Sequence, residues 1–163
     1  MLRYTKKGIE SKERIGTLPL RMSNLLHYRG VNTPEEAERF LHPRLTDLLD
    51  PSTMPGMEKA VSIIRQAVRE QWGITIYGDY DVDGICATSI MLETLRDLGA
   101  QHVRPYIPSR HEEGYGLNAD AMELLAKESR LLLTVDCGIT NLDEVALAKK
   151  RGMTVIVTDH HQL

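Results

Sequence analysis

Five carboxylates and two imidazoles fall in three short stretches of this chain: Asp79, Asp81 and Asp83 in GDYDVDG, Asp136 in DCG, and Asp159, His160 and His161 in DHH. Each stretch directly follows an apolar run of β-forming residues. Gathered in one crevice, so many carboxylates would repel one another and resist ionisation; a bound divalent cation removes that penalty. Oxygen donors with one or two imidazoles suit Mn2+, Mg2+ or a similar ion. A structural zinc would draw on cysteines at C-x-x-C spacing, and Cys86 and Cys137 are not so spaced. A carboxylate flanked by others can bridge two ions about 3.5–4 Å apart, which clamps the attacking and leaving oxygens of a phosphoryl displacement. Asp136, at the end of the central run, is the natural bridge. Taken singly, each piece has a plain structural explanation, since a strand-end Asp often caps the next helix and paired His often sit on the surface. Three coincident strand ends weigh against it.

These residues need a scaffold that brings distant segments to one edge. After Gly73, β-rich runs alternate with helical stretches, the signature of a parallel sheet with crossover helices. Four strands are expected, at 74–77, 103–107, 131–135 and 154–158, with helices near 85–98, 119–128 and 142–150. Gly99 and Gly152 stand where a C-terminal helix cap wants glycine. In open α/β sheets ligands sit outside the carboxyl ends of the strands, which is where the acidic stretches fall. Upstream, apolar Ala60, Val61, Ile64 and Val68 recur at helical spacing over 57–71, so this segment reads as an amphipathic helix. In NTPEEAERFL, Thr33 can cap a short helix with Pro34 at its first position and Glu35 and Glu36 at the positive end of its dipole. Three prolines and a glycine between Leu41 and Met57 then read as a linker. The division is therefore a short helical N-terminal arm with linker over 1–56 and an α/β domain over 57–163.

Two other readings of Asp79–Gly84 compete. A calcium EF-hand loop also opens D-x-D-x-D-G, but its twelfth position here is Ile90 where a bidentate Glu is required, and a strand precedes the loop where a helix should. A haloacid-dehalogenase-like phosphatase could use Asp81 as nucleophile with Asp83 as acid/base partner. That alternative leaves Asp136 and the His160–His161 pair without roles.

The 163 residues suffice for one ordinary domain plus a short arm. With 42% hydrophobic and 26% charged residues, disordered, collagenous and disulfide-scaffold classes are excluded. Two cysteines and no N-terminal apolar leader point to a reducing, cytoplasmic setting. No apolar run approaches the roughly 20 residues that span a bilayer, so no membrane association is expected. Charge is uneven: residues 1–30 hold seven Lys or Arg against two Glu, while the whole chain is at −3. The basic arm fits either contact with a phosphate backbone or a solvated N-terminus, and charge alone does not choose.

GDYDVDG, SRHEEGYGLN, VDCGI and TDHH, in that order and spacing, resemble the DHH phosphoesterase superfamily, and within it the RecJ-type single-strand-specific exonucleases. The resemblance covers about 57–163 and the preceding arm. The loop from Asp79 and the Gly114-Tyr115-Gly116-Leu117 segment separate that branch from the small phosphatases and cyclic-dinucleotide or oligonucleotide phosphodiesterases. Those relatives usually carry a His four residues before the first metal Asp; here that place is Tyr77. The resemblance implies that Asp79 and Asp81 bind one ion, Asp83 and His160 the other, and that Asp136 bridges. It implies that His161 lies near the scissile phosphate, that Asp159 orients its neighbours rather than binding metal, and that Arg110 faces substrate, where a guanidinium pairs bidentately with phosphate. It further implies two Mn2+ or Mg2+ ions and 5′ to 3′ digestion of single-stranded DNA in recombination and repair, and leaves single-strand-binding protein open as a partner.

In the superfamily, a fourth-motif Asp and a substrate-holding second domain follow the DHH stretch, and this sequence carries neither. The expectation is an incomplete domain, a fragment of a longer nuclease that is weak or inactive alone. The alternative from another class is a non-catalytic nucleotide- or nucleic-acid-binding module that kept the crevice and lost the chemistry.

Overall fold

The computed structural model describes residues 13–162, so the first part of the basic arm lies outside the described residues. The chain divides into two compact units, Met1–Met54 and Pro55–Leu163.

In the first unit, α1 (Leu20–Tyr28) and α2 (Pro34–Leu41) are followed by two 3₁₀ turns, Leu45–Asp47 and Pro51–Thr53. Ile15, Leu26, Val31 and Ala37 form a small core with Leu18. The buried hydroxyl of Ser23 accepts from the Ile15 N–H at 3.1 Å and donates to the Pro19 carbonyl at 3.2 Å. The start of α2 is as the sequence predicts, and more completely built. Thr33 Oγ1 accepts from the Glu36 N–H at 3.1 Å while Glu36 Oε2 accepts from the Thr33 N–H at 3.1 Å, a reciprocal capping box. Thr33→Ala is expected to cost about 1 kcal/mol, seen as about fivefold faster amide exchange in α2; unchanged exchange would show that the cap contributes nothing. The stretch read as an irregular linker is not featureless. Asp47 and Asp50 side chains accept backbone N–H groups and set up its short 3₁₀ turns.

The second unit opens with α3 (Met57–Arg69) and contains β1 (Ile74–Tyr77), α4 (Val82–Asp97), β2 (Val103–Tyr106), α5 (Ala119–Leu125), β3 (Leu131–Val135), α6 (Leu142–Lys150) and β4 (Thr154–Thr158). All strands are parallel, in the order β2-β1-β3-β4, with Ile74 beside Val103 on one side and Leu131 on the other, and Leu131 beside Thr154. Alternation along the strands sorts the side chains. Ile74, Ile76, Leu131, Leu133 and Val135 pack with Ala67 of α3 and Leu95 of α4, whereas Tyr77 and Leu132 pack with Met122 and Leu125 of α5 and Ala148 of α6. Burial on both faces explains why β1 and β3 read as nearly unbroken apolar runs. Pro105 is tolerated in β2 because β2 is an edge strand.

Three local expectations need correction. In α3, Ile63 rather than Val61 joins the packed stripe with Ala60, Ile64 and Val68, and Val61 is exposed; the stripe steps by three and four residues from Ala60. Helix α4 starts three residues earlier than expected because Asp81 caps it, and α5 ends at Leu125. Gly99 and Gly152 take φ of 94° and 90° just beyond α4 and α6, the left-handed turn that favours glycine.

From the end of β1 the chain crosses through α4 to β2 on one side, and from the end of the adjacent β3 it crosses through α6 to β4 on the other. The crevice between the ends of β1 and β3 is the topological switch point, where ligands of open α/β sheets bind.

Candidate metal centre

Asp79 lies two residues beyond the end of β1, after Gly78, and is buried, 3% exposed. Its Oδ1 accepts from the Tyr80 N–H at 2.6 Å. Burial first, then the neighbouring Asp81 and Asp136 charges, push its carboxyl above the usual range. A nearby cation would relieve this stress. Asp81 is the cap of α4, its Oδ1 accepting from the N–H groups of Asp83 at 2.9 Å and Gly84 at 3.1 Å. Helix therefore begins at Val82 and runs through Ile90, and the twelve-residue calcium loop does not form.

Asp136 follows β3 with φ of 61°, a left-handed conformation that Asp tolerates better than most residues. Its N–H donates to the Thr158 carbonyl at 3.0 Å, continuing the ladder with β4. The bend turns the carboxylate toward the end of β4, where Asp136 Oδ1 lies 2.9 Å from His160 Nε2. Asp159 is committed to shaping this corner. Its Oδ2 accepts from the Ile139 N–H at 3.0 Å, and its Oδ1 from the His161 N–H at 3.0 Å and His161 Nδ1 at 2.7 Å. Burial opposes its ionisation, yet these hydrogen bonds together hold its carboxyl below the usual range. In return the bond to Asp159 raises His161 above the ordinary imidazole value and leaves Nε2 as the ring nitrogen available to a ligand.

Asp136, His160 and His161 each place a ligand atom within 4.8 Å of the others. Asp83, in the first turn of α4, lines one cleft of about 470 Å³ with Asp136, Asp159 and His160. The structure thus brings Asp83, Asp136 and His160 into one cleft and adds His161 to the cluster. Asp79 and Asp81 sit at the end of β1 with oxygens engaged by backbone N–H groups, and they do not join the cluster of three. Oxygen and imidazole donors at this spacing, beside a buried carboxylate stressed by its neighbours, fit a divalent cation of the Mn2+ or Mg2+ kind. Cys137 is buried, its thiol pushed up to about 12 by burial and then by the Asp159, Asp79 and Asp136 charges, so it remains a neutral packing group.

Arg110 is exposed, with its guanidinium 5.2 Å from the centre of the Tyr80 ring. Sequence reasoning gave no role to Tyr80 or to Tyr115, whose hydroxyl lies 3.3 Å from His161 Nδ1. An aromatic set between Gly114 and Gly116, both at positive φ, was the available signal for Tyr115.

A family model, the N-terminal domain of the DHH family, matches residues 73–163. The single-stranded-DNA-specific exonuclease RecJ of Bacillus subtilis (strain 168) is 46% identical over 151 residues, 92% of this chain and 19% of its own length. RecJ of Thermus thermophilus is 41% identical over 161 residues, 92% of this chain and 24% of its own length. Among solved structures, a manganese-bound exonuclease RecJ superposes with a TM-score of 0.64 at 43% identity, over 67% of this chain and 28% of that one. The RecJ of Thermus thermophilus in complex with Mn2+ gives 0.62 at 35% identity, over 84% and 18%. The chain therefore spans about a fifth to a quarter of the length of the curated relatives it matches.

Proposed function

Because this chain belongs to the DHH family, we propose that it supplies the metal-holding part of a single-strand-specific DNA exonuclease that hydrolyses phosphodiester bonds. The observation that carries this reading is the convergence of Asp136, His160 and His161 at adjoining strand ends, beside a cleft that Asp83 also lines. The haloacid-dehalogenase-like alternative gives way to the family assignment.

In this reading Asp79 and Asp81 would hold one ion, Asp83 and His160 a second, and Asp136 would contribute to both. Mn2+ or Mg2+ held there would acidify a water and neutralise charge on the phosphoryl oxygens. The chain's own residues do the positioning. Asp159 fixes the ring of His161 through Nδ1, so that Nε2 meets the phosphate. His160 lines the cleft with its Nε2 2.9 Å from Asp136 Oδ1, where the two could share an ion. Arg110, resting on Tyr80, offers its guanidinium to a backbone phosphate of the DNA. The 5′ to 3′ direction, a place in recombination and repair, and single-strand-binding protein as a partner belong to the same proposal.

The test uses the full gene product and an end-labelled oligonucleotide, single-stranded or annealed. Mn2+-dependent shortening of the single strand to mononucleotides is expected, abolished by EDTA and restored by added Mn2+. Single-strand binding without hydrolysis under all metal conditions would favour the binding-module alternative and overturn the exonuclease reading.

A further inference from the structure

We propose that Glu113 is a positioning residue, a clamp that holds the connection between β2 and α5 in the shape that sets Arg110 beside Tyr80 and Tyr115 beside His161. The inference rests on the exonuclease reading for its functional consequence and on geometry for the clamp itself.

The connection from Ile107 to Asn118 contains no helix or strand, yet it carries Arg110, beside Tyr80, and Tyr115, beside His161. Something must replace the missing backbone ladder. Glu113 accepts from three directions. Tyr106 at the end of β2 donates its hydroxyl to Oε1 at 2.5 Å, Asn118 at the cap of α5 donates Nδ2 to Oε1 at 2.9 Å, and the Ser109 N–H donates to Oε2 at 2.7 Å. The Glu113 N–H in turn donates to the Ser109 carbonyl at 2.9 Å, which closes a turn around Arg110.

The clamp is tied to the sheet. Asn118 Nδ2 also reaches the Tyr77 hydroxyl at 3.3 Å, and that hydroxyl donates to the Gly116 carbonyl at 3.0 Å. Tyr77 is buried at the end of β1 and stacks on Tyr106 with ring centres 5.0 Å apart. One carboxylate therefore joins β2, the segment bearing Arg110 and the cap of α5, and through Asn118 reaches the strand that delivers Asp79. Glu113 is held below the usual carboxylate range chiefly by the Tyr106 hydrogen bond and then by that of Ser109, so it acts as an ionised acceptor. Tyr106, pushed up to about 12 by burial and then by Glu113, stays a donor. The hydrogen bonds Glu113 accepts come from Tyr106, Ser109 and Asn118 and not from Asp83, Asp136, His160 or His161. Its proposed effect on substrate passes through Arg110 and Tyr115, and a dominant effect through Tyr77 and Asp79 would show instead as a loss of Mn2+ affinity.

The test is Glu113→Ala in the full gene product, with Glu113→Gln as the conservative variant and Tyr106→Phe as the variant that removes one donor only. Steady-state kinetics on single-stranded oligonucleotide, Mn2+ titration and amide exchange are read together. The expected result for Glu113→Ala is a KM raised about tenfold to a hundredfold, the cost of misplaced substrate-holding groups. A kcat within about threefold and an unchanged Mn2+ affinity should accompany it, since a misplaced binding group weakens substrate binding rather than chemistry. Exchange should rise in 108–118 and stay unchanged in β1 and β3. Glu113→Gln should recover part of the KM, and Tyr106→Phe should move it in the same direction.

Unchanged exchange in 108–118, or faster exchange with unchanged KM, overturns the clamp. So does a fall in Mn2+ affinity equal to the fall in kcat/KM. If Glu113→Ala does not fold, Tyr106→Phe decides by the same criteria. If the unmodified protein fails to cut single strands, the exonuclease reading fails, and exchange in 108–118 still decides whether Glu113 orders the segment.

Discussion

Replacing Asp136 by Asn is expected to abolish Mn2+-dependent hydrolysis of single-stranded DNA by the full gene product while leaving the fold standing. Asp136 is the residue at which the ends of β3 and β4 meet, with its carboxylate 2.9 Å from His160 Nε2 and its N–H on the Thr158 carbonyl. Losing a partner that only orients a metal ligand costs about tenfold to a hundredfold in metal affinity or activity, so loss of a bridging ligand should exceed a hundredfold. Asn is the informative choice because the residue sits at φ of 61°. Ala there would add about 1–2 kcal/mol of backbone strain to the loss of charge, whereas Asn tolerates the conformation and removes the charge alone. Asp136→Ala should thus show the same catalytic loss with a lower melting temperature. Calorimetric Mn2+ titration, thermal unfolding and oligonucleotide digestion separate the two effects. Near-normal hydrolysis by Asp136→Asn would overturn the two-ion reading.

What could be read from the chain follows from where the determining contacts lie. β1 and β3 carry the expected limits because strands buried on both faces demand continuous apolar runs, which end visibly at Gly78 and Asp136, and the edge strand β4 carries them because its β-branched run Thr154–Thr158 ends at Asp159. The strand-end carboxylates were legible for the same reason, since topology alone places them at one edge. Helix α1 was not. Its N-cap is Pro19 with no side-chain cap bond and its first turn has no acidic residue, so none of the usual start signals is present. The 3₁₀ turns between Leu45 and Thr53 are three residues each, too short for periodicity to register.

At the site, the pairing of Asp136 with His160 was foreseeable from strand ends and the cap at Asp81 was the plain reading of a strand-end Asp, but the engagement of Asp79 with the Tyr80 N–H was not foreseeable, because it depends on the path of a single loop. The Glu113 network was hidden for a different reason. Its members, Tyr77, Tyr106, Ser109, Glu113 and Asn118, come together only after β1 and β2 pair, and Tyr77 and Asn118 are 41 residues apart. A tyrosine in place of the His usual in other branches marked the position without disclosing its partners.

Gly84→Ala should be among the most damaging small substitutions in the second unit, although helix propensity argues the opposite. Gly84 lies in the first turn of α4, where Ala normally gains about 1 kcal/mol over Gly. Here a Cβ would stand 2.6 Å from both the N and the O of Asp79. Those are backbone atoms of a buried residue, so no side-chain rotation opens the space, and the start of α4 or the end of β1 must shift. Overfilling a packed site of this kind costs about 1–3 kcal/mol, enough to reverse the propensity gain.

The consequence reaches the chemistry, because the atoms displaced belong to Asp79 itself. Gly84→Ala is therefore expected to lower the melting temperature and, at temperatures where it remains folded, to weaken Mn2+ binding by about tenfold or more, as loss of ligand orientation does. Ser89→Ala, an exposed position on the same helix, is the control and should do neither. If Gly84→Ala matches the unsubstituted protein in both stability and Mn2+ affinity, the close approach of α4 to the end of β1 is not what holds Asp79 in place.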